Sequence, residues 1–499
     1  MITLNEDLTI FISQFEQKLK QIFHEQYDIN TLSQSRGLPA EVWTGIMNEQ
    51  PLSVAVGEEY GGRGLKVNEC LRILSAASYE SLPLSLTFGI NIALFLEPLA
   101  KYGSQAVKDR VLPTFVSGHK MGGLMITEPD FGSDALNMRT AYTPNEEGYA
   151  IQGTKHWQGL TGQADYWLVT ARKNLGNGDL ARDIDFFVTD DANPAEHIRV
   201  EHLFPNLGLY MIPYGKNILD LQVPSDQKLN PESTGIKMML DILHRSRMQF
   251  PGMGMGFIKR MLDDSIQQCD SRIVGNSNLL GLDAIQQQVS KIQVAYSLCS
   301  GMCARSSQIS SIANNLATEA LEANAMKALV TDLMQESAQI AVQVSGANGY
   351  KLTHVAARGI IDSRPFQIFE GSNEMLYTQI AENFLKLMKK KKESHLYTFL
   401  QDWNLSSKIA EYFKSIFQFA IPEALPQRKM IDLGKIIARL VCTQYVVDMQ
   451  EKGYRSDLVD QCLAQVHVDI TQLVASLHNT KHTSVIQDYN DNSAWYAYF

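Results

Sequence analysis

The chain has 499 residues, which at ~150 residues per domain suggests about three domains. Apolar residues make up 45% and charged ones 20%, with 33 Gly and 16 Pro, which excludes a disordered, collagen-like or disulfide-framed chain. Lys plus Arg number 44 and Asp plus Glu 54, and the resulting net charge of −10 makes a poor footprint for nucleic acid or an anionic membrane.

Residues 1–121 read as a helical domain. The opening run Met1-Ile2-Thr3-Leu4-Asn5-Glu6-Asp7 is acidic where a signal peptide would be basic, so no leader is expected. Leu71, Ile73, Leu74 and Ala77 recur at helical spacing, as do the apolar positions of 92–99. Between them Glu58-Glu59-Tyr60-Gly61-Gly62-Arg63-Gly64 is a turn cluster. The apolar stretch 85–96 reads as too short and too interrupted to cross a bilayer.

Residues 122–232 change texture. The runs 149–153, 165–170 and 185–189 are short and rich in β-formers, with turn groups at 145–148 and 176–179, which predicts a central β-domain. Helical periodicity returns over 233–388 in the pieces 256–268, 284–307 and 316–344, the last expected to be the longest, and such pieces suggest a bundle. Residues 389–499 form a further helical extension, periodic over 433–449 and 458–477. Lys386 and the run Lys389 to Lys392 fit a solvated helix end better than a contact with anionic lipid. The six cysteines, Cys70, Cys269, Cys299, Cys303, Cys442 and Cys462, contain no C-x-x-C pair. Reduced core thiols, no metal site and a cytoplasmic location are therefore expected.

Three motifs carry chemistry. Thr127-Glu128-Pro129-Asp130-Phe131-Gly132-Ser133-Asp134 stands where helices give way to strands, and reads either as a capped turn or as a loop whose N–H groups approach a ligand. Gly153-Thr154-Lys155-His156-Trp157 sets an indole beside a glycine, as a core tryptophan or as a surface for a planar cofactor. The third is Gln343-Val344-Ser345-Gly346-Ala347-Asn348-Gly349, followed by Gln367-Ile368-Phe369-Glu370-Gly371-Ser372-Asn373-Glu374. Glu370 lies among apolar neighbours. It is either a solvated loop residue or a desolvated carboxylate whose raised pKa suits a general base.

In this order and at these separations, the motifs resemble the acyl-CoA dehydrogenase family over about 41–387. Glu58-Glu59-Tyr60-Gly61-Gly62 and the arginines Arg247, Arg260 and Arg272 add to the match. The resemblance implies an α+β fold with an N-terminal helical domain, a central β-barrel, a C-terminal four-helix bundle and, here, an added helical tail. It implies an FAD enzyme in which Glu370 removes the α-proton of an acyl-CoA or acyl-carrier-protein thioester. Flavin N5 takes the β-hydride, and the product is the trans-2-enoyl thioester. Some relatives carry their base just before a bundle arginine, where this chain has Ser246, so the assignment falls to Glu370.

Carried over residue by residue, the resemblance assigns Leu124, Ile126, Thr127, Gly132, Ser133, Trp157, Gln158, Gly159, Ser372 and Glu374 to FAD. Arg272 with Gln343, Val344, Ser345, Gly346 and Ala347 would reach the FAD of a neighbouring subunit, in a homodimer or homotetramer. Ser133, His244, Arg247 and Gly371 would meet the substrate, with no metal involved. An electron-transferring flavoprotein or another acceptor would take the electrons. The alternatives are an acyl-CoA oxidase or flavin monooxygenase on the same fold, or a catalytically weak flavin-binding interaction protein.

The departures from the family pattern are specific. A Thr or Ser whose hydroxyl bonds flavin N5 usually stands two residues after the tryptophan, where this chain has Gly159. Either Thr161 is brought in or that contact is made by backbone alone. Asp283 and Glu374 stand for glutamines, and Glu382 for an arginine. Such carboxylates near an anionic cofactor are tolerable only if solvated or paired.

Overall fold

The computed structural model describes residues 6–189, 198–481 and 484–486. Met1 to Asn5, on which the expectation about a leader partly rests, lie outside the described residues. The first segment contains α1 (Glu6–Lys20), α2 (Ile29–Leu32), α3 (Ala40–Met47), α4 (Val67–Glu80), α5 (Leu82–Asn91), α6 (Glu97–Tyr102) and α7 (Gln105–Ser117). A π-turn at Ile92–Leu96 joins α5 to α6, so helix runs unbroken over Leu82–Tyr102. This corrects the expectation of a short, interrupted stretch. The 21-residue run is apolar enough to span a bilayer, but 94% of its most apolar window is buried against the rest of the fold. It is a core helix.

Seven strands follow: β1 (Gly122–Met125), β2 (Ala141–Asn145), β3 (Gly148–Gly159), β4 (Tyr166–Lys173), β5 (Asp185–Val188), β6 (Ile198–Leu203) and β7 (Tyr214–Val223). They pair in the order β1-β4-β2-β3-β7-β6, with β5 added on β4. Among the described residues the two ends of this order do not pair, so the central β-domain takes the form of a half-barrel. Three of these strands carry the runs predicted from composition. The short β1, β2 and β6 and the polar-edged β7 lack a strong local signal.

The C-terminal half begins with α8 (Gly235–Ser271), α9 (Asp283–Ile309), α10 (Ala320–Ser345), α11 (Val355–Ser363) and α12 (Asn373–Lys391), with a two-stranded β8–β9 hairpin at Ile273–Val274 and Ser277–Asn278. The longest helix is α8, with 37 residues, and not the 316–344 piece. The run Phe250-Pro251-Gly252-Met253-Gly254-Met255-Gly256 looks like a helix breaker, because Pro and Gly weaken helices locally. Packing overrides this. A Cβ on Gly256 would lie 1.9 Å from the Ser75 carbonyl oxygen of α4, and one on Gly254 would lie 2.2 Å from Val330 of α10. The glycines let three helices meet almost backbone to backbone.

The last segment holds α13 (Leu396–Asp402), α14 (Gln427–Gln450) and α15 (Ser456–His478). Leu433, Ile436, Ile437, Leu440 and Val441 of α14 are fully buried and share one hydrophobic cluster with Leu376, Tyr377 and Ile380 of α12. Gly434 makes this contact possible, since a Cβ there would lie 2.0 Å from the Tyr377 carbonyl oxygen. The tail is thus part of the bundle's core. Polar contacts tie the segments together elsewhere: Asp241 of α8 accepts from the Tyr102 hydroxyl at 2.8 Å, and Asp362 of α11 accepts from the Leu209 N–H at 2.6 Å. Gly434→Ala is expected to lower stability by about 1–3 kcal/mol through overpacking. Urea unfolding checks this, and an unchanged midpoint would show that the α12–α14 contact is not tight.

Candidate active site

The loop between α11 and α12 brings Glu370 out of the chain at a left-handed φ of 53°. A non-glycine residue in that region is strained, and such strain concentrates at functional sites. Two cations hold the loop in place. Arg247 of α8 donates from Nε and Nη2 to the Glu370 carbonyl oxygen at 3.1 and 2.7 Å, and is itself set by Asn324 at 2.7 Å. Lys327 of α10 donates from Nζ to the Gly371 carbonyl at 2.8 Å and to Asn373 Oδ1 at 3.0 Å. Both successive carbonyls are therefore turned into the bundle. Among the described residues the Glu370 backbone N–H has no partner.

The Glu370 carboxyl is asymmetric. Oε1 accepts from the Ser246 hydroxyl at 2.9 Å, while Oε2 is buried with no hydrogen-bond partner. Burial raises the pKa above the ordinary carboxylate value, and Arg247, the Ser246 hydroxyl and Lys327 pull against it in that order. Lys327 is pushed down to about 7 by burial, against the pull of Glu370. Arg247 was singled out from sequence, but Lys327 was missed, because it lies in an ordinary helical stretch 44 and 46 residues from its loop partners and in no recognisable motif.

The second part of the site is built on β3. Its ladder with β7 shifts register between His156 and Gln158, and the bulge throws Trp157 outward at a φ of 64°. The indole is 50% exposed, backed by Phe204 at 4.3 Å between ring centroids. A strained backbone presenting a large bare ring fits a planar ligand that covers it. The Thr127–Ser133 loop is pinned beside it: the Thr127 carbonyl accepts from the His156 N–H at 2.8 Å and from Gln158 Nε2 at 3.1 Å.

Beneath that loop Glu128 and Lys155 form a buried ion pair of 3.1 Å. Glu128 also accepts from the Arg139 and Thr140 N–H groups and the Thr140 hydroxyl. Burial alone would raise its pKa, but Lys155 and these donors hold it below the ordinary range. Lys155 further donates to the Ile126 carbonyl at 3.1 Å and the Thr170 hydroxyl at 3.0 Å, so one ammonium joins β1, the loop, β3 and β4.

The remaining sequence candidates fall as follows. Leu124, Ile126 and Thr127 are half-buried along β1 and its exit, and Gly132 and Ser133 are exposed. His244 is buried with Nδ1 2.7 Å from the Leu316 carbonyl, and burial pushes its pKa down to about 4. It belongs to the network around Asp241, one turn before Arg247, and makes no contact with the Glu370 carboxyl. Ser372 caps α12, accepting from the Met375 N–H at 3.4 Å. Gln343 and Ala347 are exposed, Val344 and Ser345 buried, and Gly346 lies close enough to Arg272 that a Cβ would meet Nη1 at 3.2 Å. Asp283, Glu374 and Glu382 are all exposed, which relieves the charge problem they pose. Thr161 is not available to a ligand: it is buried, donates to the Gln158 carbonyl at 2.7 Å and accepts from Asn217 at 3.1 Å. Among the described residues no cluster of His, Cys, Asp or Glu is arranged to hold a metal.

Models of the N-terminal, middle and C-terminal domains of acyl-CoA dehydrogenases match residues 13–119, 123–220 and 233–385. The mitochondrial very long-chain specific acyl-CoA dehydrogenase of Homo sapiens is 23% identical over 387 residues, covering 76% of this chain and 58% of that protein. The short-chain specific acyl-CoA dehydrogenase of Megasphaera elsdenii is 24% identical, over 64% of this chain and 82% of that protein. An acyl-CoA dehydrogenase complexed with FAD from Bacillus anthracis superposes with a TM-score of 0.77 at 18% identity, over 97% of this chain and 93% of that one. The butyryl-CoA dehydrogenase of Megasphaera elsdenii gives 0.67 at 21% identity, over 77% and 100%. At these identities the likeness to solved structures is one of fold, and the Bacillus match extends it over the C-terminal tail.

Lys155→Met is expected to lower stability by about 3–5 kcal/mol by leaving the Glu128 charge buried without its cation. Most of that loss should return in Lys155→Met combined with Glu128→Gln. Chemical unfolding of the three proteins tests this, and equal single and double losses would overturn the pairing.

Proposed function

This chain belongs to the acyl-CoA dehydrogenase family, and from that premise we propose that it is an FAD-dependent oxidoreductase that dehydrogenates an acyl thioester, carried by CoA or by an acyl-carrier protein, between Cα and Cβ. The observation that carries this reading is the Glu370 carboxyl, buried, raised in pKa, and left with one oxygen unpartnered. A thioester α-proton is weakly acidic, and a base whose pKa is raised toward the operating pH is the more effective acceptor. The Cα–H proton passes to Oε2 while Ser246 keeps Oε1 oriented.

Charge that develops on the thioester oxygen needs donors fixed in advance. The unpartnered N–H of Glu370 is one, and its direction is set by the grip of Arg247 on the carbonyl of the same residue. FAD, when bound, supplies the acceptor for the Cβ hydride. The bare Trp157 ring and the pinned Thr127–Ser133 loop are the residues that would hold it, and their strain and exposure fit a large flat group. Electrons would leave to an electron-transferring flavoprotein or another acceptor. Arg272, Gln343 and Ala347 are exposed near the bare apolar residues Ile273, Val274 and Tyr350, which supports a second copy completing each flavin site.

Glu370→Gln is expected to bind FAD yet show no bleaching of the flavin absorbance when acyl-CoA is added without oxygen. Bleaching equal to wild type would sink the assignment of the base. The base works deprotonated, so turnover should rise with pH through a pKa above the ordinary carboxylate value. Ser246→Ala removes a hydrogen bond that lowers this pKa, so its rising limb should move to higher pH. A limb that stays put or moves down in the pH–rate profile would contradict the role given to Ser246.

A further inference from the structure

The loop that carries Glu370 runs from the turn Arg364–Gln367 to the start of α12 at Asn373. Within it two residues in succession, Glu370 and Gly371, hold left-handed backbone at φ of 53° and 95°. Such a turn keeps one shape only if its surroundings over-determine it. Its two stems meet on a single side chain of α10. Asp332 Oδ1 accepts from Gln367 Nε2, on the approach to the loop, at 2.7 Å, and from Asn373 Nδ2, on the exit, also at 2.7 Å. Asp332 Oδ2 accepts from the Tyr377 hydroxyl at 2.7 Å. A carboxylate has about four acceptor positions, so these three donors leave it nearly saturated.

The donors are fixed in their turn. Asn373 is buried, its Nδ2 also donates to the Ala328 carbonyl at 3.1 Å, and its Oδ1 accepts from Lys327 Nζ at 3.0 Å. Gln367 Oε1 accepts from Arg364 Nη1 at 2.9 Å. Tyr377 is held from the tail: Gly434 of α14 rests on its backbone, and Lys435 Nζ of the same helix lies 5.7 Å from its ring centroid. Asp332 makes no hydrogen bond to Glu370 itself, so its influence on that residue runs through the two stems.

We propose that Asp332 is a positioning residue for the Glu370 base: it staples Gln367 to Asn373, closes the loop to one conformation, and is itself held by the C-terminal tail through Tyr377. The inference rests on the dehydrogenase reading above and deepens it. The staple decides where the Glu370 carboxyl and N–H stand relative to a bound thioester. Reactivity is steep in that placement, and a shift of about 1 Å costs roughly a hundredfold in rate. With one stem released, substrate still binds but fewer complexes are reactive, so the loss falls on the rate at saturation and not on binding.

The test uses the full-length FAD holoenzyme without oxygen, with whichever of butyryl-, octanoyl- and palmitoyl-CoA bleaches the wild-type flavin fastest. Asp332→Ala should lower the saturating rate of bleaching about tenfold, with the half-saturating concentration little changed. Deuterium uptake by the peptide that spans the loop should rise in the same variant. Asp332→Asn keeps an acceptor oxygen for both stems, and its amide can donate to the Tyr377 hydroxyl oxygen, so most of the rate should return. Gln367→Met cuts one stem at a partly exposed position, and Tyr377→Phe cuts only the link to the tail. Each should lower the saturating rate about threefold, the size of one modest hydrogen bond. A wild-type rate in Asp332→Ala overturns the positioning role and leaves the dehydrogenase reading standing. If that variant does not fold, wild-type rates in both Gln367→Met and Tyr377→Phe overturn it equally. Asp332→Asn as slow as Asp332→Ala overturns the staple, since the lost charge and not the lost geometry would then set the rate. Wild-type protein bleached by none of the three thioesters overturns the dehydrogenase reading, and this role with it.

Discussion

The carboxyl of Glu370 is kept out of water on a loop that could not hold its conformation unaided. The residue sits in left-handed backbone, and its carbonyl and that of Gly371 are both drawn inward, one by Arg247 and the other by Lys327. Each cation is buried, and each is neutralised in part by carbonyl dipoles and by the carboxyl beyond them. Removing either would leave a strained loop with buried acceptors, which is why the Glu370 carboxyl, its orientation and the free N–H of the same residue are one arrangement. A carboxyl placed so is pushed up in pKa by desolvation, and Arg247, the Ser246 hydroxyl and Lys327 pull against the rise.

This clamp reaches far into the bundle. Asn373, which shares Lys327 with the Gly371 carbonyl, donates to Asp332 at 2.7 Å, and Asp332 accepts from the Tyr377 hydroxyl at 2.7 Å. The backbone of Tyr377 is the surface on which Gly434 of the tail helix rests. On the other side of the tail, the Tyr445 hydroxyl meets Glu322 at 2.5 Å, and Glu322 is paired bidentately with Arg305. The C-terminal extension therefore backs the helices α10 and α12 that hold the Glu370 loop. A bundle of four helices without it would expose the Leu433–Val441 contact face to water.

The Trp157 side follows a different rule. There the loop and strands are held by one buried ion pair, Glu128 with Lys155: Glu128 accepts from the Thr140 hydroxyl and the Arg139 and Thr140 N–H groups, and Lys155 donates to the Ile126 carbonyl and the Thr170 hydroxyl. A buried pair that is fully satisfied fixes geometry more than it adds stability. Its effect is to set the Thr127–Ser133 loop against the Trp157 bulge.

Sequence by itself determines the class of fold, the succession of helical, β and helical segments, and the position in the chain of the Glu370 and Thr127–Ser133 segments. These are short-range properties: periodicity, turn residues, and a carboxylate flanked by apolar residues and glycine, all within a few positions of one another. Tertiary structure decides what those patterns cannot express. The run 250–256 reads as a break, yet it lies inside the longest helix, because the glycines matter for how closely α4 and α10 approach. Lys327 reads as an ordinary helix residue and holds the Glu370–Gly371 loop. In each case the deciding contact joins residues distant in sequence, so its energy exists only once the chain has closed and water has been excluded between them.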